Sequence, residues 1–292
     1  MRISDILKTN KVTVSCEMFP PKPGKPLENT QQVVHEIAAY KPSFMSVTYG
    51  AGGSNSKNTL SIAEEVQKSG VTALAHLTCV GQDEENLRAS INAFKASGIE
   101  NILALRGDIP EGDTAPQTFP HASDLINAIR REGADFCIGG ACYPEGHPES
   151  YNSDADIDGV RRKVESGCEF LTTQMFFDNN ILYNYLYRIR ERGITVPVIA
   201  GIMPVTNAKQ IKRICQMSGT YLPARFKAIV DRFGDNPAAM KQAGIAYATE
   251  QIIDLIANHV NGIHVYSMNK PDVAASIAAN LSHILGREAS GG

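Results

Sequence analysis

The segment VTVSCEMFPP, residues 12–21, carries one acid, Glu17, at the end of an otherwise uncharged run. Val12, Val14 and Cys16 alternate with Thr13, Ser15 and Glu17, which is the period of a strand and puts the second set on one face. Pro20 and Pro21 offer no backbone N–H, so a central strand stops before them and Glu17 stands at its last pleat. Burial at a strand end disfavours the charged carboxylate and raises its pKa, which suits a proton donor near neutral pH. A strand-end Glu paired with an Arg or Lys fits this segment equally well. The recurrence of the pattern along the chain favours the first reading.

Runs of strand character return at 43–50, 72–79, 101–108, 135–143, 170–178, 196–204 and 262–269. Helical spacing follows each strand in turn, at 27–40, 59–69, 84–97, 122–131, 156–166, 180–192, 207–217 and 271–285. Eight strand–helix units in 292 residues, with no low-complexity linker, predict an α/β protein of one domain over 1–292: a (β/α)8 TIM barrel. Further helices at 223–233 and 237–259 predict a helical insertion between strands 7 and 8. Gly70, Gly98, Gly133, Gly167 and Gly193 fall where helices stop, on the rim opposite the strand ends. The turn GAGGS at 50–54 is no dinucleotide fingerprint, because Asn55 stands where its last glycine belongs and no acid ends the next strand.

A formal charge of −3 gives no footprint for nucleic acid, and no run of residues is apolar for long enough to serve as a signal peptide or cross a bilayer. A cytoplasmic protein is expected. The six cysteines show no CxxC and no zinc spacing, so buried reduced thiols and no metal site are expected.

In such a barrel all strand carboxyl ends meet at one rim, where active sites are built. Here those ends read CEMFPP, VTYGA, AHLTC, LRGD, ACYPEGH, TQMFFD, GIMP and YSMN, and nearly every one carries a group that donates, accepts or ionises. Asp108 becomes a second candidate acid beside Glu17, although Arg106 and Asp108 also suit an internal ion pair. His76 suits a core histidine as well as a ligand contact. Gln174 presents a donor and an acceptor together, which fits a heterocycle edge such as a pterin, or a buried structural amide. Tyr143, His147, Asp156, Arg162 and Lys163 lie on one loop and the first turns of one helix, where the cations suit a phosphate and Tyr143 a ring.

In order, SCEMFPP, SVTYGA, HLTC, ALRGD, YPEGHPE, TQMFFD, GIMPV and YSMN resemble the strand ends of the methylenetetrahydrofolate reductase family, flavoprotein barrels that make 5-methyltetrahydrofolate. The resemblance runs from about residue 12 to 285 and covers the catalytic barrel of the bacterial type. It implies a non-covalent FAD on the carboxyl rim, reduced by NADH or NADPH, with methylenetetrahydrofolate as the second substrate. It implies Glu17 as proton donor and Thr48 at the nicotinamide or flavin. Tyr49, Ala51, His76, Arg106, Gly107, Ala122, Tyr143, His147, Ser150, Asp156, Arg162 and Lys163 match flavin-binding positions. Asp108 matches the acid between flavin and pterin, and Gln174 and Gln210 match substrate contacts. Three positions depart from the family: Gly159 replaces an asparagine at the flavin, Lys270 an arginine at the folate tail, and Ile214 a phenylalanine that stacks on substrate and nicotinamide. Lys270 keeps the charge without the bidentate fork. The resemblance also implies a homo-oligomer.

The expected chemistry is the opening of an aminal. Its methylene bridge accepts hydride once one C–N bond has opened to an iminium, which requires the departing nitrogen to be protonated. Glu17 is expected to give that proton, Asp108 to stabilise the cation and Gln174 to orient the pterin. Two other readings are a folate-reducing subunit fed electrons by another flavoprotein or ferredoxin, to which Ile214 points, and a flavin-free pterin-binding barrel.

Overall fold

The alternation read in residues 12–18 continues round a closed sheet. The computed structural model describes residues 1–9, 11–21, 26–49, 56–109, 117–133 and 135–286. Its strands are β1 (Thr13–Met18), β2 (Met45–Val47), β3 (Ala73–Thr78), β4 (Asn101–Leu105), β5 (Cys137–Cys142), β6 (Phe170–Thr173), β7 (Val198–Ile202) and β8 (Gly262–Val265). They pair in chain order, all parallel, and β8 closes on β1. The short helix α1 (Ile3–Leu7) precedes β1, and the crossovers hold α2 (Leu27–Ala38), α3 (Ser56–Lys68), α4 (Glu84–Ala96), α5 (Ala122–Arg131), α6 (Ser153–Glu165) and α7 (Asn179–Glu191). Between β7 and β8 run α8 (Ala208–Ser218), α9 (Ala224–Phe233) and α10 (Pro237–Ala257), and α11 (Pro271–Asn280) follows β8. This is the expected (β/α)8 barrel.

Local chemistry sets the boundaries. Asn152 starts α6 three residues ahead of the expected 156, because its side chain accepts from Ala155 N. Asp83, Asp178, Asn207 and Asn236 cap α4, α7, α8 and α10 in the same way. The five helix-stop glycines all adopt positive φ. Several strands are shorter than their sequence pattern, 170–178 contracting to Phe170–Thr173 and 262–269 to Gly262–Val265. Single ladder-like bonds persist past these ends, with Gln174 N donating to Cys142 O and Tyr266 N to Ile202 O, each at 2.8 Å. Beyond them the chain leaves the ladder, Phe176 packing into the main core and Met175 and Phe177 into a cluster with the helices before β8.

Alternation also sorts the core. One set of strand residues, including Val14, Cys16, Met45, Val47, Ala75, Leu77, Ile102, Ala104, Ile263 and Val265, packs with the helices. The other set forms its own cluster of Phe44, Leu74, Leu103, Cys137, Phe170 and Ile199, joined by Ile3 of α1. That second cluster fills the lower barrel, and α1 plugs its end: Ile3 N donates to Asn101 Oδ1 at 2.8 Å, and Ser4 N reaches Cys137 Sγ at 3.4 Å. A third cluster joins the segments after β6 and β7 to α8, α9 and α10. All six cysteines are free thiols, five of them buried. Among the described residues no helix is long and apolar enough to cross a membrane.

Candidate active site

Above the apolar lower layer the inward positions turn polar: Ser46, His76 and Thr172 follow Phe44, Leu74 and Phe170, and β1 and β8 add Ser15 and His264, all buried. Glu17, Thr48, Thr78, Gln174 and Tyr266 come two residues later on their strands. All of these except Ser15 border one cavity of about 790 Å³ at the carboxyl rim, with Met203 completing the ring from the β7 side. The volume is that of a small-molecule site.

Glu17 is 8% exposed, and burial alone pushes its carboxyl up to about 8. Among the described residues no Arg or Lys pairs with it. Close by, His264 receives two serine hydroxyls, Ser15 Oγ at 2.7 Å from Nδ1 and Ser46 Oγ at 3.1 Å from Nε2. Ser15 also donates to Ile263 O at 3.0 Å, which uses its one proton. Nδ1–H therefore donates to Ser15 and Nε2 accepts from Ser46, a neutral ring that burial holds down to about 3. Tyr266 meets this ring edge-on at 5.2 Å and donates to Thr173 O at 2.7 Å. Neither His264 nor Tyr266 was among the expected site residues. The strand alternation that selected Glu17 selects both, since 264 and 266 share the inward face.

Arg106 forks onto Glu149, with Nη2 at 2.8 Å from Oε1 and Nη1 on Oε2, and its Nε donates to Gly107 O at 3.2 Å. Its ion pair is thus with the β5–α6 loop and not with Asp108, which stands exposed and borders the same cavity as Glu17 from the β4 side. Tyr143 and His147 meet edge to face at 4.6 Å, and burial raises the phenol to about 12. His147 Nδ1 accepts from Glu149 N at 3.1 Å, and burial, aided by Arg106, holds the imidazole below its ordinary value. Ser150 Oγ donates to Asp156 Oδ1 at 3.1 Å. Lys163 donates to Ala141 O, and loss of hydration lowers its pKa. Arg162 is exposed and forms no ion pair among the described residues. Ala122, Gly159 and both cations border the cavity.

Thr48 and Tyr49 line the opposite side, where Tyr49 Oη accepts from Gln82 Nε2 at 3.0 Å. Ala51 lies outside the described residues. Gln174 Oε1 accepts from Met175 N at 2.9 Å. The structure therefore gathers Glu17, Thr48, Tyr49, His76, Arg106, Gly107, Asp108, Ala122, Tyr143, His147, Ser150, Asp156, Gly159, Arg162, Lys163 and Gln174 round one cavity. Gln210 and Lys270 are not among the residues that line it. Gln210 is exposed in the first turn of α8, and Lys270 donates to Thr206 Oγ1 at 2.5 Å. Ile214 packs half-buried against the third core cluster.

The family model for methylenetetrahydrofolate reductase matches residues 2–282. Methylenetetrahydrofolate reductase (NADH) 1 of Arabidopsis thaliana is 34% identical over 298 residues, covering 97% of this chain and 50% of that protein. The chain thus spans about half the length of its plant relatives. The 5,10-methylenetetrahydrofolate reductase of Escherichia coli K12 is 34% identical over 272 residues, 93% of this chain and 91% of that one. Among solved structures, an uncharacterized protein from Clostridium thermocellum that binds two copies of 5-methyl-5,6,7,8-tetrahydrofolic acid shares the fold, with a TM-score of 0.63 at 12% identity over 97% of this chain and 99% of that one. On the strength of the family match and the sequence identities, this chain belongs to the methylenetetrahydrofolate reductase family.

Proposed function

We propose that this protein reduces 5,10-methylenetetrahydrofolate to 5-methyltetrahydrofolate, with FAD as its cofactor and NADH or NADPH as its electron donor. Family membership supports the reaction. The cavity's chemistry fits the cofactor: it is large enough for a tricyclic ring, carries the buried unpartnered atoms His76 Nε2 and Thr172 Oγ1, and is edged by the unpaired Arg162 and by Lys163. The residues that would hold FAD are Thr48, Tyr49, His76, Arg106, Gly107, Ala122, Tyr143, His147, Ser150, Asp156, Gly159, Arg162 and Lys163. When bound and reduced, the flavin supplies the hydride.

The chain's own part is proton chemistry and orientation. With its carboxyl pushed up to about 8, Glu17 holds its proton at neutral pH and gives it to the departing nitrogen of the aminal. Asp108, which borders the same cavity, would stabilise the iminium charge that develops as the C–N bond opens. Gln174, its carbonyl already engaged by Met175 N, offers its amide N–H groups to the pterin edge. The observation that carries this reading is an uncompensated acid, buried in the same cavity as an exposed one.

The test is Glu17→Gln. The variant should keep the visible flavin band and its bleaching by NADH, while folate reduction falls at least about a hundredfold. Folate turnover near the wild-type rate would remove Glu17 from its role. Wild-type protein that gains no flavin band with FAD would restore the flavin-free barrel, and a flavin that NADH alone cannot bleach would restore electron delivery by a partner.

A further inference from the structure

The polar groups inside the barrel divide by whether the protein itself satisfies them. Ser15, Ser46 and His264 bond one another, and Tyr266 bonds Thr173. Among the described residues seven buried side-chain atoms have no partner, and two of them, His76 Nε2 and Thr172 Oγ1, belong to residues that line the cavity. Their side chains are 5% and 6% exposed, so bulk water does not compensate them. His76 already has a reading at the flavin. Thr172 has none.

Thr172 stands opposite Ala141 in the β5–β6 register. The Ala141 carbonyl accepts from Lys163, and Tyr143 lies two residues further along the same strand. The hydroxyl thus adjoins the wall that carries the Tyr143 ring and the Lys163 stem, one pleat deeper than Gln174. A ligand that reaches one pleat below the Gln174 side chain meets Thr172. An unpartnered buried hydroxyl costs stability, and valine has the same outline without that cost. A hydroxyl kept here in the face of that penalty has a partner that comes from outside the chain.

We propose that Thr172 is a cofactor-binding residue whose hydroxyl bonds a ring heteroatom of the flavin at the base of the cavity. This rests on the flavin reading above. Thr172→Val separates the roles because its two effects run in opposite directions. FAD affinity, titrated by quenching of flavin fluorescence, should weaken about tenfold, whereas the melting temperature of the apoprotein should stay level or rise. Thr172→Ser, which keeps the hydroxyl, should bind FAD within about twofold of wild type. Unchanged FAD affinity in Thr172→Val overturns the proposal, and if the folate KM rises instead, the hydroxyl belongs to the folate. A lower apoprotein melting temperature also overturns it, since the hydroxyl would then serve the fold. Failure of the flavin reading itself appears earlier and separately, as wild-type protein that binds no FAD.

Discussion

At the scale of single residues, the site depends on one position with no side chain. A Cβ added to Gly201 would lie 2.4 Å from the Thr173 carbonyl oxygen and 2.6 Å from Cε2 of Tyr266. Gly201 N also donates to Thr173 Oγ1 at 2.8 Å. The bare backbone lets the Tyr266 ring fold across β7 and tie itself to β6, on the cavity wall one pleat above His264. Gly201→Ala should therefore destabilise the protein by about 1–3 kcal/mol through overpacking, and should lower folate turnover further than Tyr266→Phe, which gives up one hydrogen bond but keeps the ring. Denaturant titration and turnover of the two variants side by side check this, and equal behaviour would show that the space at Gly201 has no bearing on the ring. The glycine of GIMP was legible as part of a strand. Its purpose was not, because the ring it makes room for is 65 positions away in sequence.

At the scale of elements, the strand periods and the helix-stop glycines were legible because each is a local signal that recurs, the strands eight times and the glycines five. The plug α1 was not. Five residues span too little of a helix to show a period, and what holds it is tertiary: Asn101 accepts from Ile3 N at 2.8 Å and donates to Met1 O at 3.0 Å and Ala73 O at 3.1 Å. Asn101 is 1% exposed, so each of these bonds stands in for lost hydration. Nearby, Arg2 bridges Asp135 at 2.8 Å and Glu169 at 2.9 Å, locking the helix to the ends of two crossovers. Asn101→Ala leaves the Ile3 amide and the Ala73 carbonyl unpaired and should cost about 2–4 kcal/mol. Arg2→Ala, whose bonds are partly exposed, should cost about 1 kcal/mol or less. Urea unfolding of both variants measures the order, and a larger loss in Arg2→Ala would mean that the salt bridges and not the amide hold the plug. Fourteen of the site residues assigned from sequence needed only this strand-and-rim frame to meet at one cavity, together with Glu17 and Gln174. Gln210 did not join them, because its position depends on how the α8 to α10 segment sits on the rim, and Lys270 did not because its amine bonds Thr206 Oγ1; periodicity encodes neither.

At the scale of the whole molecule, the polar middle of the barrel makes stability depend on pH in a way the net charge of −3 does not suggest. His76 and His264 are held neutral in the folded protein, each down to about 3 from an ordinary value of 6.5. Between those values the unfolded chain binds two protons that the native state does not, so stability rises with pH. Glu17 acts with the opposite sign. It keeps its proton in the folded state up to about 8, whereas the unfolded chain releases it near 4.5, so over that interval stability falls as pH rises. Each proton contributes up to about 1.4 kcal/mol per pH unit. Of these three groups only the histidines act below about 4.5, from there to 6.5 they outweigh Glu17 two to one, and above 6.5 only Glu17 acts until it ionises; His147, held below its ordinary value, adds to the rising limb. The apoprotein should therefore be most stable near pH 6.5 and lose on the order of 1–2 kcal/mol by pH 8. Glu17→Gln removes the descending limb, so this variant should hold its stability from pH 6.5 to 8 and exceed wild type there, with the gap narrowing towards pH 4.5. Denaturant titrations of both proteins at pH 5.5, 6.5 and 8 decide the matter. A wild-type curve that is flat above pH 6.5, or a decline shared equally by the variant, would mean that Glu17 is not held protonated by the barrel, and would remove the physical basis for its role as the acid.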